Sequence, residues 1–219
     1  MTRAEELGTP QTQVYFLRAV VRAKAKDAEG ARRDREAGMR LQPADEQSWV
    51  ARGLARLPDD PKGALADFNR ALELNPRSFP ALQNKAHVLA DHLHDDAEAV
   101  RALDRIVGLY PDSAMGRAGR GVSLARLGQR EKALADGEQA LLLDTRPANL
   151  YQVGCIYALT SQKNAQDRLR AFELLSYGLR GGFGLDLVDT DTDLNPIRGA
   201  AEFRHLVDAA RALHSQKPR

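Results

Sequence analysis

The stretch Ser48–Pro76, SWVARGLARLPDDPKGALADFNRALELNP, contains one complete pattern of two amphipathic helices joined by a turn. Trp49 is followed four residues later by Gly53, and after Pro58-Asp59-Asp60-Pro61 a second apolar run carries Phe68 at helical spacing. Proline and aspartate between two such runs indicate a tight turn. The stretch therefore predicts a helical hairpin that ends at Asn75-Pro76.

The same pattern recurs along the chain at intervals of about 34 residues. A small residue that opens each contact between helices returns at steps of 34, 33, 35 and 34, as Ala19, Gly53, Ala86, Gly121 and Cys155. An alanine of the second helix returns at steps of 33, 35, 34 and 38, as Ala31, Ala64, Ala99, Ala133 and Ala171. Two markers that keep one period indicate stacked repeats and argue against a compact enzyme with a single core.

The period divides the chain into five units, which we place at 12–44, 45–77, 78–112, 113–146 and 147–182. The longer last step is explained by about four extra turn residues between Ser161 and Asp167. Residues 1–11 are expected to be flexible. Residues 183–214 are expected to form an irregular segment and a capping helix, with a helix start at Asn195-Pro196 and a short tail at 215–219.

These residues resemble the tetratricopeptide repeat (TPR). The resemblance is carried by Trp49, Gly53, Ala64, Phe68, Ala71 and Pro76 in the second unit, by Tyr15, Ala19, Ala31 and Pro43 in the first, by Leu82, Ala86, Ala99, Leu103 and Pro111 in the third, by Gly121, Leu124, Ala133 and Ala140 in the fourth, and by Tyr151, Cys155, Ala171 and Leu175 in the fifth. It implies an all-α solenoid of about five helix pairs in a right-handed superhelix. Arg117, Arg35 and Gly137 stand where the repeat has a large apolar residue, which predicts weaker packing there.

The tail carries a second resemblance. Ala158-Leu159-Thr160-Ser161, Gly182-Phe183-Gly184, Asp191-Thr192-Asp193-Leu194-Asn195-Pro196 and Phe203 are similar to the C-terminal end of bacterial TPR proteins, several of which are Ser/Thr protein kinases. This resemblance implies a bacterial protein and, as an alternative function, a regulatory or substrate-docking repeat region of a kinase system. The chain has no glycine-rich loop and no His-Arg-Asp motif, so it does not itself carry out phosphoryl transfer.

The amino-acid composition limits the kinds of partner that we expect. The 32 basic and 30 acidic residues give a net charge of +2, and mixed signs along the helices argue against nucleic-acid binding. No run of about 18 apolar residues is present, which predicts no membrane span and a cytoplasmic protein. The single cysteine, Cys155, is expected to be buried as a packing residue. We expect a monomer or a weak homo-oligomer.

No arrangement of residues predicts catalysis or a cofactor. Ser123, Ser161 and Ser176 lack the context of a catalytic nucleophile, and Cys155 has no histidine nearby in sequence. His87, His92 and His94 lie beside three aspartates, and we keep a metal site there as a minor alternative. The interpretation favoured by the sequence is a protein that is not an enzyme and uses no cofactor.

In a TPR array the first helices line a concave groove, and a peptide or protein partner is expected to bind there. The residues that flank the core contacts of the first helices form the predicted groove: Phe16, Val20, Lys24, Val50, Leu54, Gln83, His87, Ala118, Val122, Arg126, Gln152 and Ile156. Their chemistry is apolar with scattered amides and cations, which suits a peptide held by apolar anchors. For each residue the alternative is packing against a neighbouring helix.

Overall fold

A computed structural model describes residues 12–215, so the predicted flexibility of residues 1–11 and most of the 215–219 tail lie outside the described residues. These residues contain twelve α-helices and no β-strand, which confirms the all-α prediction. The chain divides between Glu98 and Ala99 into two compact units, called unit 1 and unit 2 below.

Unit 1 consists of two helical hairpins and a further first helix. Its helices are α1 (Thr12–Lys24), α2 (Ala28–Arg40), α3 (Glu46–Arg56), α4 (Pro61–Leu74) and α5 (Phe79–His87). Helix α6 (Asp96–Leu109) begins just before the division and lies mostly in unit 2. The other helices of unit 2 are α7 (Ala114–Arg126), α8 (Arg130–Leu143), α9 (Pro147–Thr160), α10 (Ala165–Arg180), α11 (Asn195–Arg198) and α12 (Ala201–Ser215).

Polar side chains fix where many of these helices begin. Each accepts a hydrogen bond from a backbone N–H of the first turn, which otherwise has no partner in the helix. These capping residues are Asp27, Asp45, Asp60, Ser78, Ser113 and Asn164. The end of α10 is fixed by Gly182, whose φ of +88° suits glycine, and by the Phe183 N–H that donates to the Gly178 carbonyl.

The recurring small residues lie where two helices meet. A Cβ atom on Gly53 would lie 2.6 Å from Cε1 of Phe68, and one on Gly121 would lie 2.5 Å from Cδ1 of Ile156. Ala86 and Cys155 are each 3% exposed. Any larger side chain at the two glycines would push neighbouring apolar groups apart, so close packing is the physical cause of this part of the period.

The irregular steps of the period have local causes. Ala86 and Ala99 are 13 residues apart, whereas Ala19 and Ala31 are 12 apart. The extra residue is accommodated by a π-helical turn at Val88–His92 and by His94 in the left-handed region at φ +53°. The 3₁₀ turn at Ser161–Lys163 lengthens the connection between α9 and α10, where the sequence predicted about four extra residues.

Two of the three departures from the repeat pattern, Arg35 and Gly137, are compensated by neighbouring groups. Arg35 donates from Nη2 to the Ala55 carbonyl and to Asp59, so it joins α2 to the end of α3. Val153 and Ile156 approach within 3.2 Å of the position that a Cβ atom on Gly137 would take. The expected loss of packing is therefore offset by a polar contact in one case and by neighbouring side chains in the other.

An ion pair with a buried aspartate joins the two helices in three of the hairpins. The arginine directly before the small residue donates from Nε and Nη2 to both oxygens of an aspartate three residues after the second-helix alanine, at 2.6–3.0 Å. The pairs are Arg18–Asp34, Arg52–Asp67 and Arg120–Asp136. We call them the hairpin pairs. They fix the two helices against each other through bidentate, charge-assisted bonds.

Aromatic rings complete the first two hairpin pairs. The guanidinium of Arg52 lies 4.4 Å from the centre of the Trp49 ring, and that of Arg18 lies 5.4 Å from the centre of the Tyr15 ring. In the fourth repeat Arg117 takes the place of the aromatic residue and approaches Asp136 at 4.0 Å. The aromatic residue of the repeat is thus also a platform for the arginine that follows it.

Acid is expected to weaken the first hairpin pair. Hydrogen bonds from Arg18 lower the pKa of Asp34 below its ordinary value of 3.8, against the opposing effect of burial. Because the folded pKa lies below the unfolded one, this carboxylate stabilises the fold above about pH 4, and the contribution is lost as pH falls through the folded pKa. Urea unfolding from pH 7 to pH 2 should show a smaller acid-induced loss in Asp34→Asn than in the wild type. An equal loss in both proteins would contradict the prediction.

Candidate interaction surface

The predicted groove residues of unit 1 fall into two classes. Phe16 and Val50 are 5% and 9% exposed, so they belong to the packed interior, and a partner cannot reach them in this conformation. Phe16 lies against Gly38 of α2. Val20 and Leu54 are 55% and 47% exposed. For Phe16 and Val50 the packing alternative therefore describes the structure.

The exposed class occupies one register position. Val20, Leu54 and His87 each come directly after the recurring small residue of their repeat. They lie on α1, α3 and α5, with exposed Lys24 on α1 and half-buried Gln83 on α5. We call these five residues the unit 1 face. They present two aliphatic groups, one amide, one ammonium group and one imidazole.

His87 is the only one of these five with a polar side-chain contact among the described residues. Its Nδ1 lies 2.8 Å from an Asp91 carboxylate oxygen, and its ring packs edge-on against His92 with centres 5.2 Å apart. His94 lies in the turn beyond. The three histidines are not among described side chains that bring three ligand atoms within 4.8 Å of one another. The geometry gives the metal alternative no support.

The corresponding positions of unit 2 are closed. Val122 and Ile156, which also follow the small residue, are 7% and 0% exposed, and Ala118 has no exposed surface. They share one hydrophobic core with Val188, Leu194 and Ile197 of the C-terminal segment. Gln152 is half-buried on α9. In unit 2 the chain itself therefore covers residues that the sequence placed in an open groove.

An ionic contact attaches the segment 183–198 to α7, and further hydrogen bonds hold the segment together internally. Arg126 donates from Nε and Nη2 to the two oxygens of Asp193 at 2.8 and 2.9 Å. Arg198 donates to the carbonyl oxygens of Val188, Asp189 and Asp191. The cation expected at Arg126 to meet a partner is thus bound by the tail.

Asp191 organises the centre of this segment. One of its oxygens accepts from the Tyr151 hydroxyl at 2.9 Å, and the other accepts from the backbone N–H of Asp193. Asp191 is the cap of the 3₁₀ turn Thr192–Leu194, which leads directly into the single turn of α11. Asn195 is the first residue of α11 and not its cap, and Leu194 at the cap position makes no side-chain hydrogen bond. The alternating aspartates are therefore turn and capping residues.

Cys155 lies beneath Asp191, with Sγ 3.6 Å from a carboxylate oxygen. Burial, followed by the nearby carboxylates, raises the pKa of the thiol well above its ordinary value, and burial likewise raises the pKa of Tyr151. Cys155, Asp191 and Asp193 bring three ligand atoms within 4.8 Å, but Arg126 already binds both oxygens of Asp193. The group is an internal polar contact of the closed tail.

Solved structures share this fold. PilW, a widely conserved type IV pilus biogenesis factor, aligns with a TM-score of 0.64 at 17% identity over 96% of each chain. A tetratricopeptide repeat protein from Parabacteroides merdae gives 0.63 at 15% identity over 96% of this chain and 82% of that one. YrrB, a TPR protein with an unusual peptide-binding site, gives 0.53 at 20% identity over 91% of each chain.

The chain therefore has the tetratricopeptide-repeat fold, as the sequence pattern predicted. No protein-family model and no curated protein sequence matches it. The similarity of the tail to kinase-associated repeats stays a prediction. None of the described helices combines the length and the apolar character that a membrane crossing needs.

Proposed function

We propose that the protein is a non-enzymatic scaffold that binds a peptide, or an exposed segment of a partner protein, on the unit 1 face. The observation that carries this proposal is the exposure of Val20 and Leu54 at equivalent positions of successive first helices, 34 residues apart. Two aliphatic anchors at a spacing set by the repeat select a ligand with apolar side chains at a matching separation.

The polar residues of the unit 1 face fix the orientation of the bound peptide. The amide of Gln83 offers both a donor and an acceptor to a peptide backbone, and Lys24 offers a positive charge at one end of α1. The hairpin pairs hold α1 against α2 and α3 against α4. The ordering cost of binding therefore falls mainly on the ligand, which favours affinity.

The chemistry of the described side chains supports a function without catalysis. The single cysteine is buried, and its raised pKa keeps the thiol protonated and a poor nucleophile. The fold is similar to that of YrrB, a protein with a peptide-binding site, and this similarity agrees with a peptide ligand. A cytoplasmic location and a monomeric or weakly associated state are further parts of the proposal.

Glutamates at the two anchors are expected to weaken peptide binding. Peptides selected from a random phage-displayed library on the wild-type protein should bind Val20→Glu/Leu54→Glu at least about tenfold more weakly, which is the loss of roughly 1.4 kcal/mol that removing one buried aliphatic contact produces. Fluorescence anisotropy with labelled peptides measures the change.

A matched variant separates loss of contact from loss of fold. Leu142 on α8 is 79% exposed, so Leu142→Glu adds the same kind of charge away from the unit 1 face. It should bind the selected peptides as the wild type does, and the melting curves of all three proteins should agree. Undiminished binding by the double variant would show that the peptides use another surface.

A further inference from the structure

Part of the unit 1 face has a counterpart in unit 2. Helices α1 and α3 are the first helices of successive repeats and pack beside each other, as α7 and α9 do in unit 2. Val20 of α1 corresponds in register to Val122 of α7, 102 residues later. Lys24 of α1 corresponds in the same way to Arg126 of α7. In both helices the valine and the cation are four residues apart, so they share one side of the helix.

This combination of an aliphatic group and a cation is confined to α1 and α7 among the first helices. The same two positions hold Leu54 and Pro58 on α3, His87 and Asp91 on α5, and Ile156 and Thr160 on α9. On α5 the second position is an acid, whose carboxylate lies 2.8 Å from the histidine ring. A carboxylate of a ligand on the unit 1 face is therefore favoured over α1 and not over α5.

In unit 2 the chain itself shows what the combination binds. The two oxygens of Asp193 accept from Nε and Nη2 of Arg126 at 2.8 and 2.9 Å. The 3₁₀ turn Thr192–Leu194 packs against α9. Leu194 has no exposed surface and lies in one apolar core with Val122. An acidic residue directly followed by an aliphatic one thus supplies a carboxylate to the cation and an apolar group to the core.

The charges at this end of unit 1 leave Lys24 available for such a carboxylate. Among the described residues, the exposed ammonium groups of Lys24 and Lys26 have no hydrogen bond or ion pair. Each acidic residue of the two adjoining turns already has a partner: Asp27 the Gly30 N–H and Arg22, Glu29 Arg33, Asp59 Arg35, and Asp60 the Gly63 N–H. The carboxylate for Lys24 is therefore expected from a ligand.

The tail of a second copy is not available as that ligand. Asp193 and Leu194 are 7% and 0% exposed, so they are already bound within their own unit 2. The tail also makes a contact that unit 1 does not offer, since Asp191 accepts from the Tyr151 hydroxyl and the corresponding residue of α3 is Trp49, which has no hydroxyl. A ligand of unit 1 therefore needs the equivalent of Asp193 and not that of Asp191.

We propose that the unit 1 face binds a segment of another protein in which an aspartate or glutamate directly precedes an aliphatic residue. The carboxylate pairs with Lys24, and the aliphatic side chain packs on the exposed groups of Val20 and Leu54. This inference rests on the proposed function. It adds the chemical class of the ligand and its direction, with the acidic residue over α1.

The tail supplies the sequence of a probe. A labelled peptide of residues 189–197 with blocked ends, in which Asp189 and Asp191 are replaced by asparagine, keeps Asp193 as its single carboxylate. It should bind the full chain in fluorescence anisotropy. Lys24→Glu should weaken the binding at least about tenfold, because an attraction becomes a repulsion. Lys24 is exposed, so the variant should fold like the wild type.

Reversing both charges tests the contact itself. The probe with Asp193→Lys should bind the wild type at least about tenfold more weakly and should recover on Lys24→Glu, because the pair is restored with opposite signs. The probe with Leu194→Asn should also bind at least about tenfold more weakly. Absence of binding to the wild-type chain, equal binding by Lys24→Glu, or no recovery in the reversed pair overturns the proposal.

Two controls show that the effects are local. Lys163 of unit 2 is exposed, and Lys163→Glu should bind the probe as the wild type does. Restoring Asp191 in the probe should change the affinity by less than about threefold, since an exposed charge without a defined partner contributes little. A loss in Lys163→Glu equal to that in Lys24→Glu would show a general charge effect and contradict the assigned pair.

Two further results separate this inference from the proposed function and from self-association. If library-selected peptides lose binding to Val20→Glu/Leu54→Glu but bind Lys24→Glu like the wild type, the unit 1 face is a peptide site and the ligand class is wrong. Sedimentation equilibrium should give the same mass for the wild type and Lys24→Glu. A wild-type dimer that Lys24→Glu loses would make the tail of a second copy the occupant and overturn the assignment to another protein.

Discussion

Replacing Asp67 with alanine is expected to lower the free energy of unfolding by about 3–5 kcal/mol, which is typical when one member of a buried ion pair is removed. The side chains of Arg52 and Asp67 are 10% and 2% exposed, so the substitution leaves a buried guanidinium without its carboxylate. Arg56, which also contacts Asp67 at 3.3 Å, loses the same partner. Urea unfolding followed by circular dichroism measures the loss.

Two comparisons show whether burial is the cause. Asp104 also binds an arginine of a hairpin pair, Arg120, but its side chain is 54% exposed, so Asp104→Ala should cost less than about 1 kcal/mol. The double variant Arg52→Met/Asp67→Leu removes both charges and should recover most of the stability that Asp67→Ala loses. If Asp67→Ala and Asp104→Ala cost the same, the hairpin pairs do not hold the helices together.

The period of small residues was sufficient to predict the helical hairpins. Gly53 and Gly121 recur because a neighbouring apolar side chain lies within 2.6 Å of the place where their Cβ atom would be. A constraint of this kind acts on one position and is visible in the sequence as a single residue type. The same is true of the prolines and aspartates at the turns, whose backbone preferences are local.

The hairpin pairs were missed although the sequence contains their signal. Arg18, Arg52 and Arg120 each precede the small residue, and Asp34, Asp67 and Asp136 keep the matching position in the second helix. Each arginine lies between small or apolar residues in sequence, and nothing in its own helix shows which carboxylate lies opposite. Burial depends on the helix that packs opposite, and a residue pattern along one helix does not contain that information.

The candidate surface was predicted only in part for a related reason. Val20 and Leu54 are exposed as expected, whereas Val122 and Ile156 occupy the same register position and are buried. Ile156 packs against Gly121 of α7 and Gly137 of α8, and it shares one core with Val122 and with the segment 183–198, which has no period and whose place in the fold no local rule predicts. Phe16 and Val50 come three residues before the recurring small residue, on a side of the helix that is closer to the core. At such a position, a rotation of the helix by a few tens of degrees decides whether a side chain contacts a partner or packs in the interior.

The same repeat therefore has different surroundings in unit 1 and in unit 2. In unit 1 the residues after the recurring small residue are open to a ligand, and in unit 2 the chain's own tail is packed with them. Arg126 illustrates the difference, since its two hydrogen bonds to Asp193 are the kind of contact that a groove cation makes with an acidic ligand. The stability of the tail therefore decides whether Arg126 is available to a ligand.

Replacing Leu194 with alanine is expected to detach the tail and expose Cys155. Leu194 has no exposed surface, and truncating a buried leucine costs about 2–5 kcal/mol. The segment 183–198 is held to α7 by Asp193 and to α9 by Asp191, together with a few apolar side chains. Because these contacts are few, the loss should favour local opening of the tail over unfolding of unit 2. Labelling of the Cys155 thiol by Ellman's reagent without denaturant should then be faster by roughly 30-fold or more, the rate equivalent of 2 kcal/mol.

Leu187 provides the matched control, because it belongs to the same segment and is 43% exposed. Leu187→Ala removes the same atoms from a position outside the core, so it should leave the labelling rate within about threefold of the wild type. Faster labelling of Leu194→Ala with an unchanged urea midpoint would establish that the tail opens by itself. If labelling instead accelerates only in proportion to global unfolding, the tail and α9 form one cooperative element, and the first helices of unit 2 are a permanent part of the core.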